Sequence, residues 1–239
     1  IAGYILLYDM QRSKESPYSK RIRMLIFDMH SEYGLELRDN MGNPIADGVG
    51  KIFSTMFKRY TPDVELARTR GLHELRINYN ELTIEDLRLI CPILGITPTF
   101  VAHLSYYEKY LRKLLGDYWV WGLIIDEYIS KKLQRTEEGR KILMEIQQRT
   151  RKNDFSALRN EILSGIKSIG VALYTSFVSQ TSKLKVLADY PYTSGKSAID
   201  DIVENLVSRD GLNIIISLGK YEKETPLYMI IANLIARRL

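Results

Sequence analysis

The sequence predicts an α/β protein with a mainly parallel sheet, interrupted by an inserted helical subdomain over residues 83–168. A short apolar run at 22–28 (IRMLIFD) is bounded by polar loops and has the length of a buried strand. A second such run, 212–218 (LNIIISL), lies between two capped helical patterns. Between the two runs, Leu, Ile and Tyr recur at three- and four-residue spacings over a long stretch. Helical segments alternating with strands at β-rich ends are the pattern of a parallel sheet with crossover helices.

Along the chain, residues 1–10 read as a buried helix and 11–21 (QRSKESPYSKR) as a polar loop. The strand at 22–28 follows. Residues 39–50 (DNMGNPIADGVG) carry turn signals throughout. In 73–79 (HELRINY), Leu75, Ile77 and Tyr79 fall on one face of a strand. Thr83-Ile84-Glu85-Asp86 opens a helix with a capping-box pattern. Thr97-Pro98 opens the next, with proline at the first helical position. Segments 137–150 and 154–168 alternate charge with aliphatic residues, as surface helices do. Ser197 caps a helix to about Ser208, closed by Asp210-Gly211. Strand 212–218 stops at Gly219, and Thr225-Pro226 starts the last helix. The divisions expected are 1–82, 83–168 and 169–239. Both ends read as cut: Ile1 has no cap or leader before it, and 228–239 stops inside a helical pattern.

Composition narrows the function classes. With 45% hydrophobic and 26% charged residues in 239, wholesale disorder is excluded. No apolar run reaches the roughly 18 residues that cross a bilayer. The single cysteine, Cys91, excludes a disulfide framework and reads as a small buried side chain. His30, His73 and His103 are too scattered for a His-rich metal site. The net charge of +5 suits a polyanionic partner without identifying one. Tyr106, Tyr107 and Tyr110 read as helix packing rather than base stacking.

The chemistry concentrates in Leu25-Ile26-Phe27-Asp28-Met29-His30-Ser31-Glu32-Tyr33-Gly34. A buried strand ends in an acid, and ligands of parallel sheets bind outside strand carboxyl ends. Asp28, His30 and Glu32 are spaced by two, so an extended backbone points all three the same way. Such a group could hold a magnesium-bound water or orient a nucleophile. The alternatives are a strand end whose polar residues meet solvent or cap loops, and a three-ligand transition-metal site. Other motifs are weaker. Tyr192-Thr193-Ser194-Gly195-Lys196-Ser197 ends like a phosphate loop, but Tyr190 stands where that loop needs glycine, and a cap at Ser197 explains it. Gly48-Val49-Gly50-Lys51 fails in the same way. Leu123-Ile124-Ile125-Asp126-Glu127 resembles a Walker B strand, yet its spacing fits a helix face better.

The 24–34 element resembles the "FD-x-H-x-EY" segment of the archaeal HerA-like ATPases, hexameric DNA translocases related to FtsK. The helix, strand and final helix over 197–239 are similar to the family as well, and a helical insertion between these parts is expected. Met29 stands where proline is common, and Ser31 where glycine or asparagine is common. The resemblance implies a RecA-like P-loop NTPase core that uses ATP and Mg2+. It places Asp28 beside the magnesium, through water, and the attacking water, with His30 and Glu32 shaping that site or relaying to a neighbouring subunit. It implies double-stranded DNA as partner, a hexameric ring, a partner nuclease, a cytoplasmic location and a role in DNA end processing or repair. It also implies that Walker A and Walker B lie outside 1–239, so that an isolated 1–239 chain does not hydrolyse ATP. The competing expectation is a non-enzymatic nucleic-acid- or protein-binding module on the same scaffold. A metal-dependent hydrolase built on Asp28, His30 and Glu32 lacks a second ligand cluster.

Overall fold

A computed structural model describes residues 23–208 and 210–239. The expected helix at 1–10 and loop at 11–21 lie outside the described residues. In chain order the first elements are β1 (Leu25–Asp28), β2 (Glu36–Arg38), β3 (Pro44–Asp47), α1 (Val49–Ile52), β4 (Phe57–Thr61), α2 (Val64–Arg70) and β5 (His73–Glu74). Next come β6 (Ile77–Asn78), α3 (Ile84–Ile90), α4 (Pro98–Leu115), α5 (Trp119–Ile124), α6 (Glu127–Leu133), α7 (Glu137–Thr150), α8 (Phe155–Ile169), α9 (Val171–Gln180) and β7 (Tyr192–Thr193). The chain ends with α10 (Ala198–Val207), β8 (Asn213–Ser217) and α11 (Thr225–Ala236). The chain divides into two compact units. One contains the described residues up to Arg76 with Ser197–Glu224 and Ile235–Leu239, and the other Ile77–Lys196 with Thr225–Leu234.

The first unit is built on a four-stranded sheet of order β1-β8-β4-β5, parallel throughout. Strand β8 is central and buried along its whole length, so it reads as an unbroken apolar run, Ile214-Ile215-Ile216, rather than an alternation. Phe57 and Ile215 form a core patch onto which Met24, Ile26, Val49, Phe53 and Met56 fold. The register sets Asp28 opposite Ser217 and Tyr60 opposite Ile216. The carboxyl ends of β1, β8 and β4 therefore align, and three buried polar residues, Asp28, Ser217 and Thr61, end the three strands.

Two differences from the sequence reading concern strands. Residues 73–79 do not form one strand. They split into β5 and β6, which belong to different sheets. Leu75, Ile77 and Tyr79 are all buried as their alternation requires. Between the two strands, the Arg76 carbonyl accepts from the Ala198 amide instead of joining a ladder. The turn-rich stretch 39–50 contains a strand of its own. β2 and β3 make an antiparallel hairpin around Asp39, whose carboxylate accepts from the Met41 and Asn43 amides.

The second unit is mostly helical. Its longest helix, α4, has Thr97 as cap, Pro98 in its first turn, and buries Phe100, Leu104, Tyr107, Leu111 and Leu115 on one stripe. Tyr107 donates from its hydroxyl to the Leu173 carbonyl, and Tyr106 stays exposed. In α8, Phe155, Leu158, Ile162 and Ile166 keep the same spacing. The capping box of α3 is present, and Asp86 also accepts from Asn233 at 2.7 Å. Arg159 lies inside this unit, donating to the Leu123 carbonyl and Thr181 Oγ1, with its guanidinium 4.8 Å from the Phe177 ring centre. The Walker B-like stretch is helical: Leu123 and Ile124 end α5, and Asp126 caps α6 while pairing with Lys185 at 2.5 Å. Burial pushes the Cys91 thiol up to about 11, which fits a packing role. No helix among the described residues is long and apolar enough to cross a membrane.

Candidate functional site

Loops at the carboxyl ends of β1, β4 and β8 enclose a cleft of about 400 Å³. The chain does not stay extended after Asp28; residues 29–34 turn, which separates the three expected site residues. Asp28 is 2% exposed and does not line the cleft. Its Oδ2 accepts from the Gly34 amide at 2.7 Å and from Ser217 Oγ at 2.9 Å. Asp28 thus ties the turn back onto the sheet. His30 and Glu32 do line the cleft, and both are exposed or nearly so. His30 Nδ1 lies 3.8 Å from Glu222 in the loop after β8.

Every side of this turn is held. The Gly48 amide donates to the Leu35 carbonyl and the Gly50 amide to the Tyr33 carbonyl, both at 2.8 Å. Arg59 Nη1 donates to the Gly34 carbonyl at 3.0 Å. Ser31 takes a φ of 61°, the left-handed region that glycine and asparagine enter most readily. That conformation explains why glycine or asparagine suits this position in the resembling segment.

Asp63 forms the facing wall. It caps α2, its Oδ1 accepting from the Glu65 and Leu66 amides. Its Oδ2 accepts from the Lys220 amide at 3.1 Å, which fixes the end of β4 to the loop after β8. A Cβ on Gly219 would stand 2.9 Å from Asp63, so a side chain there would break this join. Glu36, Arg38, Arg70 and Lys220 complete the polar lining. The sequence reading missed Asp63, Glu36, Arg38, Arg70 and Lys220 as site residues. The one local signal was Thr61-Pro62-Asp63, an acid placed between a strand and a helix. Among the described residues, no group of three or more His, Cys, Asp or Glu is arranged to hold a metal ion.

The family model described as "Helicase HerA, central domain" matches residues 10–239. No curated protein and no solved structure matches. Because the model covers nearly the whole chain, the chain belongs to the family of the HerA helicase central domain.

Proposed function

We propose that this chain is part of an ATP-driven DNA translocase or helicase of the archaeal HerA-like, FtsK-related kind, acting in DNA end processing or repair. The observation that carries the reading is the family match together with a polar cleft at the carboxyl ends of parallel strands, where such sheets bind ligands. In this reading the sheet belongs to a RecA-like P-loop core, with 83–168 inserted between core parts 1–82 and 169–239. The protein forms a ring, hexameric by resemblance, around double-stranded DNA in the cytoplasm, with a nuclease as partner.

The cleft fits a magnesium nucleotide in a limited way. Magnesium on a nucleotide keeps phosphate and water ligands and needs only one or two carboxylates, so the lack of a three-acid cluster among the described residues is no obstacle. Glu32 is the exposed carboxylate on the cleft. Asp28 already accepts two hydrogen bonds at one oxygen, which suits it to act through water and through the loop rather than as a direct ligand. When bound, the magnesium nucleotide supplies the phosphoryl group and neutralises its charge. Glu32 would orient the attacking water and take its proton, and His30, 3.8 Å from Glu222, lines the same cleft. Asp28 and Ser217 keep the turn in place.

The test is ATP turnover by the complete gene product, with and without duplex DNA. Turnover should rise with DNA, and Glu32→Gln should lower kcat by about 100-fold or more, the usual range for a lost general base, with KM little changed. A wild-type protein that binds DNA yet shows no turnover overturns the reading in favour of a binding module.

A further inference from the structure

On one wall of the cleft, two arginines, Arg38 and Arg70, flank a single carboxylate, Glu36. Glu36 opens β2, and its side chain is only 10% exposed. Arg38 Nη2 donates to Glu36 Oε1, and Arg70 Nη2 lies 3.4 Å from the same oxygen. Lys51 Nζ lies 4.0 Å from Oε2 and pairs more closely, at 2.6 Å, with Asp47. Lys51 is thus matched by Asp47, and on the cleft itself Arg38 and Arg70 share the one Glu36 carboxylate. The Arg38 hydrogen bond, ahead of the nearby charges, holds the Glu36 carboxyl below its usual range, so it stays ionised and keeps both guanidiniums in place.

The two arginines have capacity to spare. Their side chains are 46% and 41% exposed, and both line the cleft. A guanidinium has five donors. Arg38 spends donors on Glu36 and on the Gly42 carbonyl. Among the described residues, Arg70 has the single long contact to Glu36. Asp63, the acid opposite, is committed at both oxygens to backbone amides. The volume of about 400 Å³ is enough to admit a phosphate chain.

We propose that Arg38 and Arg70 form a two-guanidinium clamp for the polyphosphate chain of the ligand, oriented by Glu36. The clamp rests on the reading of the cleft as a nucleotide site and names the residues that recognise the phosphates there. Planar guanidiniums match phosphate oxygens bidentately, which an ammonium does not. Lys220, on the same cleft, adds a third cation without that geometry.

The test uses inorganic tripolyphosphate and the complete gene product in a calorimetric titration. Each arginine should be worth about tenfold in affinity, so Arg38→Ala with Arg70→Ala should weaken binding about 100-fold. The double lysine variant, R38K with R70K, should fall between, because charge remains and the fork is lost. Lys131→Ala with Lys141→Ala, two cations of the helical unit, should change nothing. Equal weakening by that control pair overturns the clamp, since the effect is then general charge. So does unchanged tripolyphosphate binding in the arginine variants, and so does a loss confined to duplex DNA. The reading of the cleft fails separately. Arginine-dependent tripolyphosphate binding without ATP turnover leaves the clamp standing and removes the ATPase. ATP turnover with an unchanged KM in the double alanine variant does the reverse.

Discussion

Asp28→Ala is expected to destabilise the turn at the sheet's carboxyl edge by about 2–4 kcal/mol, the cost of two buried donors left without an acceptor. Both the Gly34 amide and the Ser217 hydroxyl donate to one carboxylate oxygen. Alanine removes that oxygen from a place where Asp28 and Ser217 are both buried. Asparagine is the informative comparison. Its single carbonyl oxygen can take the place of Oδ2 and accept both bonds, so Asp28→Asn should cost about 1 kcal/mol, the loss of charge assistance. The measurement is amide exchange at Gly34 and Leu35 rather than fluorescence, since both tryptophans, Trp119 and Trp121, lie in the helical unit. Fast exchange in the alanine variant and near-native exchange in the asparagine variant support a positioning role. If the asparagine variant folds normally and still loses ATP turnover, Asp28 contributes charge at the site in addition to structure. Equal and native exchange in both variants would show that the turn does not depend on Asp28.

Gly48→Ala should have a comparable effect from the other side of the turn. The backbone at Gly48, φ −70° and ψ 155°, is open to any residue, so conformational strain is not the cause. Contact is the cause. An alanine Cβ would stand 2.4 Å from the Glu32 carbonyl oxygen and 2.6 Å from that of Tyr33, both backbone atoms. Neither can swing away as a side chain would, so the turn must shift. Overpacking of this kind costs about 1–3 kcal/mol. The shift displaces Glu32, so turnover should fall by more than about tenfold, in line with losses from small misplacements of catalytic groups. Gly195→Ala is the control, because its Cβ meets only Thr193 Oγ1, at 3.6 Å. Equal activity in the Gly48 and Gly195 variants would separate the turn from the chemistry.

The legible parts of the fold were those fixed by local chemistry. The caps at Thr83, Thr97 and Ser197 stand where side-chain oxygens meet free helix amides. β8 was legible because a central parallel strand is apolar on both faces. β4 was not. Phe57-Lys58-Arg59-Tyr60-Thr61 sets two cations inside a central strand, which only distant partners explain. Lys58 pairs with Asp201 at 2.6 Å, and Arg59 reaches the Gly34 carbonyl. The site was half legible for the same reason. An acid at a strand end marked the right edge of the sheet. The direction of the chain beyond it is decided by Ser217, Gly48 and Gly50, which spacing around Asp28 does not reveal. The clamp residues come from a hairpin and a helix end that fold back onto this edge.

Hydrogen exchange of the complete gene product, with and without magnesium and a non-hydrolysable ATP analogue, tests the central claim most directly. The nucleotide should slow exchange in residues 29–36, 63–70 and 219–222, the backbone around the cleft. Slowed exchange elsewhere, with these three segments unchanged in a protein that hydrolyses ATP, would contradict the placement of the nucleotide at this cleft.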